Sequence, residues 1–186
     1  MFNKQSKCYF YAGTLNFPGY EVVDMPPNGD CMLNALAHQL FLTKRSADLK
    51  SAQTIRLELV NFIRSDKAMK DHIRQGLTDG DTVSAYLERM LRPGNWGDGN
   101  ILSAASKYYH IHILVYRDID EPPMNIECGL DVDCAPITLG YVSQMSSTVP
   151  NHYVSLVPAR HTNSGGERRN IPTKTGDALT GMTARQ

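Results

Sequence analysis

Helical hydrophobic spacing fills residues 31 to 109, and β-branched strand patterning takes over at His110 and lasts to Val157. Helices early and strands late point to an α+β domain. One short strand, Tyr20 to Val23, comes before the helices. The dense turn signal Pro26-Pro27-Asn28-Gly29-Asp30 follows it. A helix then starts at once, with Cys31, Leu33, Leu36, Ala37, Leu40 and Phe41 near one face at spacings of three and four. A second helix is predicted from Ser51 to Ser65, continuing helically from Asp66 to Leu77. Thr78-Asp79-Gly80-Asp81 breaks the pattern and offers a capping aspartate. Val83, Tyr86, Leu87, Met90 and Leu91 give a further helix, which Arg92-Pro93-Gly94-Asn95 stops. Ile101 to Tyr109 is the last helix. Strands are predicted at His110 to Tyr116, Ile137 to Tyr141 and His152 to Val157. An acidic hairpin over 117 to 135 and a polar loop over 143 to 150 lie between them.

At 186 residues, 41% of them hydrophobic and 20% charged, the chain can bury one ordinary core. After Arg160 the composition turns to Gly, Ser, Thr and charges, so residues 1–160 are expected to form the domain and 161–186 a flexible polar tail. Lys+Arg and Asp+Glu are both 19, which leaves no broad basic footprint for nucleic acid. No run of 18 apolar residues and no apolar signal core is present, so neither a membrane span nor secretion is expected. The sequence therefore predicts a cytoplasmic chain whose cysteines Cys8, Cys31, Cys128 and Cys134 are thiols. Cys128 and Cys134 have no second pair or neighbouring histidine to complete a zinc pattern, and His110 and His112 have no companion ligand; no metal or cofactor is expected.

Among the cysteines, Cys31 is distinguished by position. A helix N-terminus favours a thiolate, because unpaired backbone N–H groups and the helix dipole point at it. The glycine of the preceding turn lets the backbone approach a substrate closely, so the amides of this loop could bind an oxyanion. A cysteine there is more often packing than chemistry, and a nucleophile needs a base. His152 is the best candidate, opening an apolar strand after Pro150-Asn151. His38, two turns into the Cys31 helix, is not taken as the base.

Four pieces in order resemble the ovarian-tumour (OTU) family of cysteine proteases. They are Asn28-Gly29-Asp30-Cys31-Met32-Leu33, then Tyr86-Leu87-Glu88-Arg89-Met90, then Trp96-Gly97-Asp98 with its following helix and strand, and Asn151-His152-Tyr153-Val154-Ser155-Leu156-Val157. The resemblance covers roughly residues 20 to 157. It implies a papain-like fold, a small mixed or antiparallel sheet flanked by helices with the nucleophile at a helix N-terminus. It implies hydrolysis of the peptide or isopeptide bond after the C-terminal glycine of ubiquitin or a ubiquitin-like modifier, by a monomer without cofactor. Carried to matching positions, Cys31 attacks and His152 is the base, with Asn28 beside them and Gly29 and Asp30 forming the oxyanion hole.

The chain departs from the family pattern twice. Asn28 stands where an aspartate is usual; it can keep the turn and can donate as well as accept. Val154 stands where many members carry an Asp or Asn that orients the histidine. The orienting group must come from elsewhere, and Asn151 is placed ahead of Asp24. Trp96 is expected as a buried anchor; the alternative is that Asn95 to Gly99 lines a narrow channel for a Gly-Gly tail, with Trp96, Gly97 and Asp98 as substrate-binding residues. The acidic residues Asp118, Asp120, Glu121, Glu127, Asp131 and Asp133 are expected as a solvated loop, the alternative being an arm for a basic face of ubiquitin. Two rival readings stand beside the deubiquitinase: a ubiquitin-binding pseudo-enzyme, and a viral or selfish-element protease acting on its own polyprotein.

Overall fold

The computed structural model describes residues 17–117, 121–129, 135–142 and 151–159. The leader, the polar tail with its boundary, the 143–150 loop, Cys8, Cys134, Asp118, Asp120, Asp131 and Asp133 lie outside the described residues. The order of elements is β1 (Tyr20–Val23), α1 (Cys31–Leu42), α2 (Ala52–Ser65), α3 (Lys67–Gly76), α4 (Val83–Leu91), α5 (Gly99–Tyr109), β2 (Ile113–Arg117), β3 (Met124–Ile126), β4 (Ile137–Val142) and β5 (His152–Pro158). This is the α+β architecture that the segregated periodicities predict.

The strands form one sheet in the order β1-β5-β4-β2-β3. Only β2 and β4 run parallel; the other neighbours are antiparallel. Helices pack on one face of the sheet, against Ile113, Val115, Ile137 and Leu139. The opposite face carries a small second cluster of Phe17, Val154 and Leu156, with Tyr20, Val22 and Tyr116 packed on it. Period-2 alternation along β5 divides its residues between these two faces.

Helix α1 is buried nearly all round: Cys31, Met32, Leu33, Ala35, Leu36, Ala37, Gln39 and Leu40 are all inside. A helix so enclosed cannot shift along its axis without opening the core. Gln39 fixes its register on the sheet. Its Nε2 donates to Ser155 Oγ and to Leu156 O, both at 2.8 Å, and its Oε1 accepts from Thr138 N–H. A buried amide with both ends satisfied ties α1 to β4 and β5 and holds the helix start beside the start of β5.

Helix boundaries differ from expectation where a polar side chain caps. Asp66 breaks the continuous helix, because its side chain accepts from Met69 N–H at 2.7 Å and starts α3 anew. The cap of α4 is Thr82 rather than an aspartate of the 78–81 turn; Asp81 instead pairs with Arg89. His110 takes a left-handed conformation, φ 53°, and ends α5 instead of opening a strand.

Candidate active site

Four of the five helices among the described residues have a side chain on their first N–H groups: Ser51, Asp66, Thr82 and Asp98. Helix α1 has none. Its first turn is left to the Cys31 thiol, toward which the N–H groups of Cys31, Met32 and Tyr153 are directed. These donors pull the thiol pKa down, as a helix start should. Burial outweighs them, and the Asp30 carboxylate adds to it, so the Cys31 thiol lies above its ordinary value. Burial thus favours the protonated thiol, and a base is needed to take its proton as it attacks.

Asp30 does not cap α1 because its carboxylate is engaged elsewhere. It accepts from Arg56 Nη2 at 2.5 Å and from Gly94 N–H at 3.1 Å. Arg56, 2% exposed, also donates to Met90 O and Asn95 O, both at 2.6 Å. One buried guanidinium therefore pins the loop before Cys31 to the loop after α4. Gly29 is the close-contact point between them: a Cβ there would lie 1.6 Å from Gly94 O and 3.0 Å from Trp96 Cδ1. Sequence reasoning passed over Arg56, although the signal was present. It falls three, four and seven residues before Leu59, Val60 and Ile63 on the inward stripe of α2, and a charge there requires a buried partner.

His152 is 2% exposed and begins β5. Its Nε2 lies 2.8 Å from Asp24 Oδ1. A carboxylate accepting at Nε2 fixes the proton there, so the basic nitrogen of the neutral ring is Nδ1. The carboxylate arrives through strand register. Val23 pairs with Ser155, so continuing the ladder sets Asp24 across from Val154, on the sheet face that His152 shares. The ordering expected from sequence, Asn151 ahead of Asp24, is reversed. Asn151 has φ 57°, and its Oδ1 accepts instead from Tyr141 O–H. Val154 occupies a dry slot between Phe17 and Gly140. His38 contacts Ser155 Oγ through Nδ1 at 2.8 Å, away from this group.

Pro27, Asn28, Gly29, Cys31, Trp96, Asn151 and His152 line one pocket. The structure thus brings together Cys31, His152 and the Asn28–Gly29 turn at a single opening. Trp96 corrects the expectation of a buried anchor: it is 51% exposed and stands as a wall of the pocket. Its neighbours do not line the pocket. Gly97 makes room for the Met32 methyl, which a Cβ would meet at 2.0 Å. Asp98 caps α5 through Asn100 and Ile101 N–H and accepts from Tyr86 O–H at 2.9 Å. Of the acidic excursion, Glu121 pairs with Arg117 and Glu127 accepts from Asn125.

A buried His–carboxylate pair beside a cysteine at an uncapped helix start is the equipment of a thiol hydrolase. Comparison with known proteins agrees. The family model for OTU-like cysteine proteases matches residues 26–153. OVARIAN TUMOR DOMAIN-containing deubiquitinating enzyme 6 of Arabidopsis thaliana is 29% identical over 149 residues, 80% of this chain and 26% of that protein. Enzyme 10 of the same plant series is 36% identical over 93 residues, 50% of this chain and 23% of that protein. The chain thus spans about a quarter of the length of these two relatives. Among solved structures, the Hazara virus OTU bound to ubiquitin superposes with a TM-score of 0.55 at 18% identity, covering 76% of this chain and 82% of that one. That likeness concerns the fold. From the family match and this geometry together, the chain belongs to the OTU-like cysteine protease family.

Proposed function

We propose that this chain is a cysteine-dependent deubiquitinase that cleaves the peptide or isopeptide bond after the C-terminal glycine of ubiquitin. The observation that carries the reading is the 2.8 Å contact of His152 Nε2 with Asp24 in a pocket shared with Cys31. It supplies the orienting group that Val154 cannot, so the site has nucleophile, base and orienter. The substrate class follows the relatives, two of which are named deubiquitinating enzymes, and a structural neighbour that holds ubiquitin. In this mechanism His152 Nδ1 takes the thiol proton as Cys31 Sγ adds to the carbonyl carbon. The same proton is delivered to the departing lysine amine, leaving a thioester on Cys31. Water, deprotonated by His152, then adds to the thioester and releases the ubiquitin carboxylate and the thiol.

Incubation with ubiquitin carrying a C-terminal thiol-reactive warhead tests the reading. Wild type should gain the mass of one ubiquitin, and Cys31→Ala should gain none. Binding without an adduct would favour a ubiquitin-binding pseudo-enzyme. Neither adduct nor binding would overturn the ubiquitin assignment.

A further inference from the structure

Acyl transfer at Cys31 creates a full negative charge on the former carbonyl oxygen, and that oxygen needs preorganised donors. The loop from Asn28 to Cys31 has four backbone N–H groups. Asn28 N–H donates to Pro26 O at 2.8 Å and Cys31 N–H to Asn28 O at 3.1 Å. Asp30 N–H donates to Asn28 Oδ1 at 3.0 Å. Of these four, only Gly29 N–H has no acceptor among the described residues. One N–H from this loop is a thin oxyanion hole, and a side-chain donor beside it would complete it.

Asn28 meets that need. It lines the pocket with Gly29, Cys31 and His152. Because Asp30 presents an N–H, the amide atom it meets is the oxygen, and the other end is therefore –NH2. No acceptor among the described residues takes that end. The side chain is thus held by one atom and has two donor hydrogens unused. An aspartate, usual here in the family, would keep the same turn but present an anionic oxygen in their place.

We propose that the Asn28 side-chain amide is an oxyanion donor, its Nδ2–H acting with Gly29 N–H on the oxygen of the tetrahedral intermediate. As the Cys31 Sγ–carbon bond forms, the carbonyl π pair moves onto oxygen and both hydrogen bonds shorten. When the pair returns, the C–N bond breaks and the amine leaves with the proton from His152. This rests on the assignment of Cys31 as the hydrolytic nucleophile.

The test compares wild type, Asn28→Asp and Asn28→Ser. Both substitutes keep an oxygen for Asp30 N–H; aspartate removes the donor and adds charge, and serine removes the reach and stays neutral. Three rates are read: hydrolysis of a ubiquitin C-terminal coumarin amide, hydrolysis of p-nitrophenyl acetate, and Cys31 alkylation by iodoacetamide at its alkaline limit. Alkylation forms no oxyanion. The expected result is a kcat loss of about 10²–10³-fold on both hydrolyses for each variant, with ubiquitin KM and alkylation within about threefold of wild type. Hydrolysis within about threefold of wild type in both variants overturns the proposal. So does a parallel fall in alkylation, which would mean that the loop had shifted away from the thiol. A wild type that cleaves the ester but no ubiquitin derivative defeats the deubiquitinase reading, while the ester comparison still decides the role of Asn28. A wild type that hydrolyses neither overturns both.

Discussion

Asp24 acts on His152 by choosing which ring nitrogen carries the proton. An asparagine in its place could offer an N–H to Nε2, moving the ring proton to Nδ1, where it blocks the base. Asp24→Asn should therefore lower kcat by about 10³-fold with little change in KM or in melting temperature, measured by steady-state hydrolysis and thermal melting. The Cys31 thiol gives a second outcome at this scale. Its pKa is raised by burial, so alkylation by iodoacetamide should inflect above the ordinary value of about 8.5. Folding then favours the protonated thiol. That contribution to stability is full below the ordinary thiol pKa and is lost as pH rises through the folded one, a slope that Cys31→Ser should remove in alkaline denaturation curves. Cys31 and His152 were legible in the sequence because each follows turn residues at the start of an element. Asp24 was less so: Asn151 is adjacent to the histidine in the chain, whereas Asp24 is 128 residues away and reaches it only through the β1–β5 register.

At the scale of elements, the nucleophile loop and the 92–97 loop behave as one piece, joined by Arg56 and by the close approach of Gly29 to Gly94. Two glycines there should respond differently to the same substitution. Gly29→Ala drives a methyl into backbone at Gly94 O, which cannot yield without moving the loop. It should abolish measurable hydrolysis and cost several kcal/mol, on the order of 3, in urea unfolding. Gly97→Ala meets the end of the Met32 side chain, which can turn aside, so about 1 kcal/mol and near-normal activity are expected. The helix and strand types were legible from hydrophobic spacing. Their boundaries depended on caps: Asp66 and Thr82 end or begin helices through side-chain hydrogen bonds that periodicity does not register. Trp96 defied a burial rule for its residue type because it lines the open pocket instead of the core.

The catalytic arrangement is closed by the sheet as a whole. Residues 26–153 carry the family match, yet β1, Asp24 and all but the first residues of β5 lie outside it. A chain beginning at Met25 would lose Phe17, the β1–β5 ladder and the partner of His152 together. Such a truncation should show no hydrolysis even where circular dichroism still reports helices α1 to α5, and restoring residues 17–24 should restore it. The family-matched segment and the functional unit are thus different lengths of chain.

Trp96 is the single tryptophan of the sequence, and it stands half exposed at the mouth of the cleft. The protein therefore carries its own optical reporter at the place where a substrate tail would lie. Any occupant that dehydrates the indole shifts its emission to the blue, so ubiquitin binding to Cys31→Ala should be readable as a fluorescence titration with no label attached. Trp96→Phe should silence that signal while the adduct on wild-type Cys31 still forms.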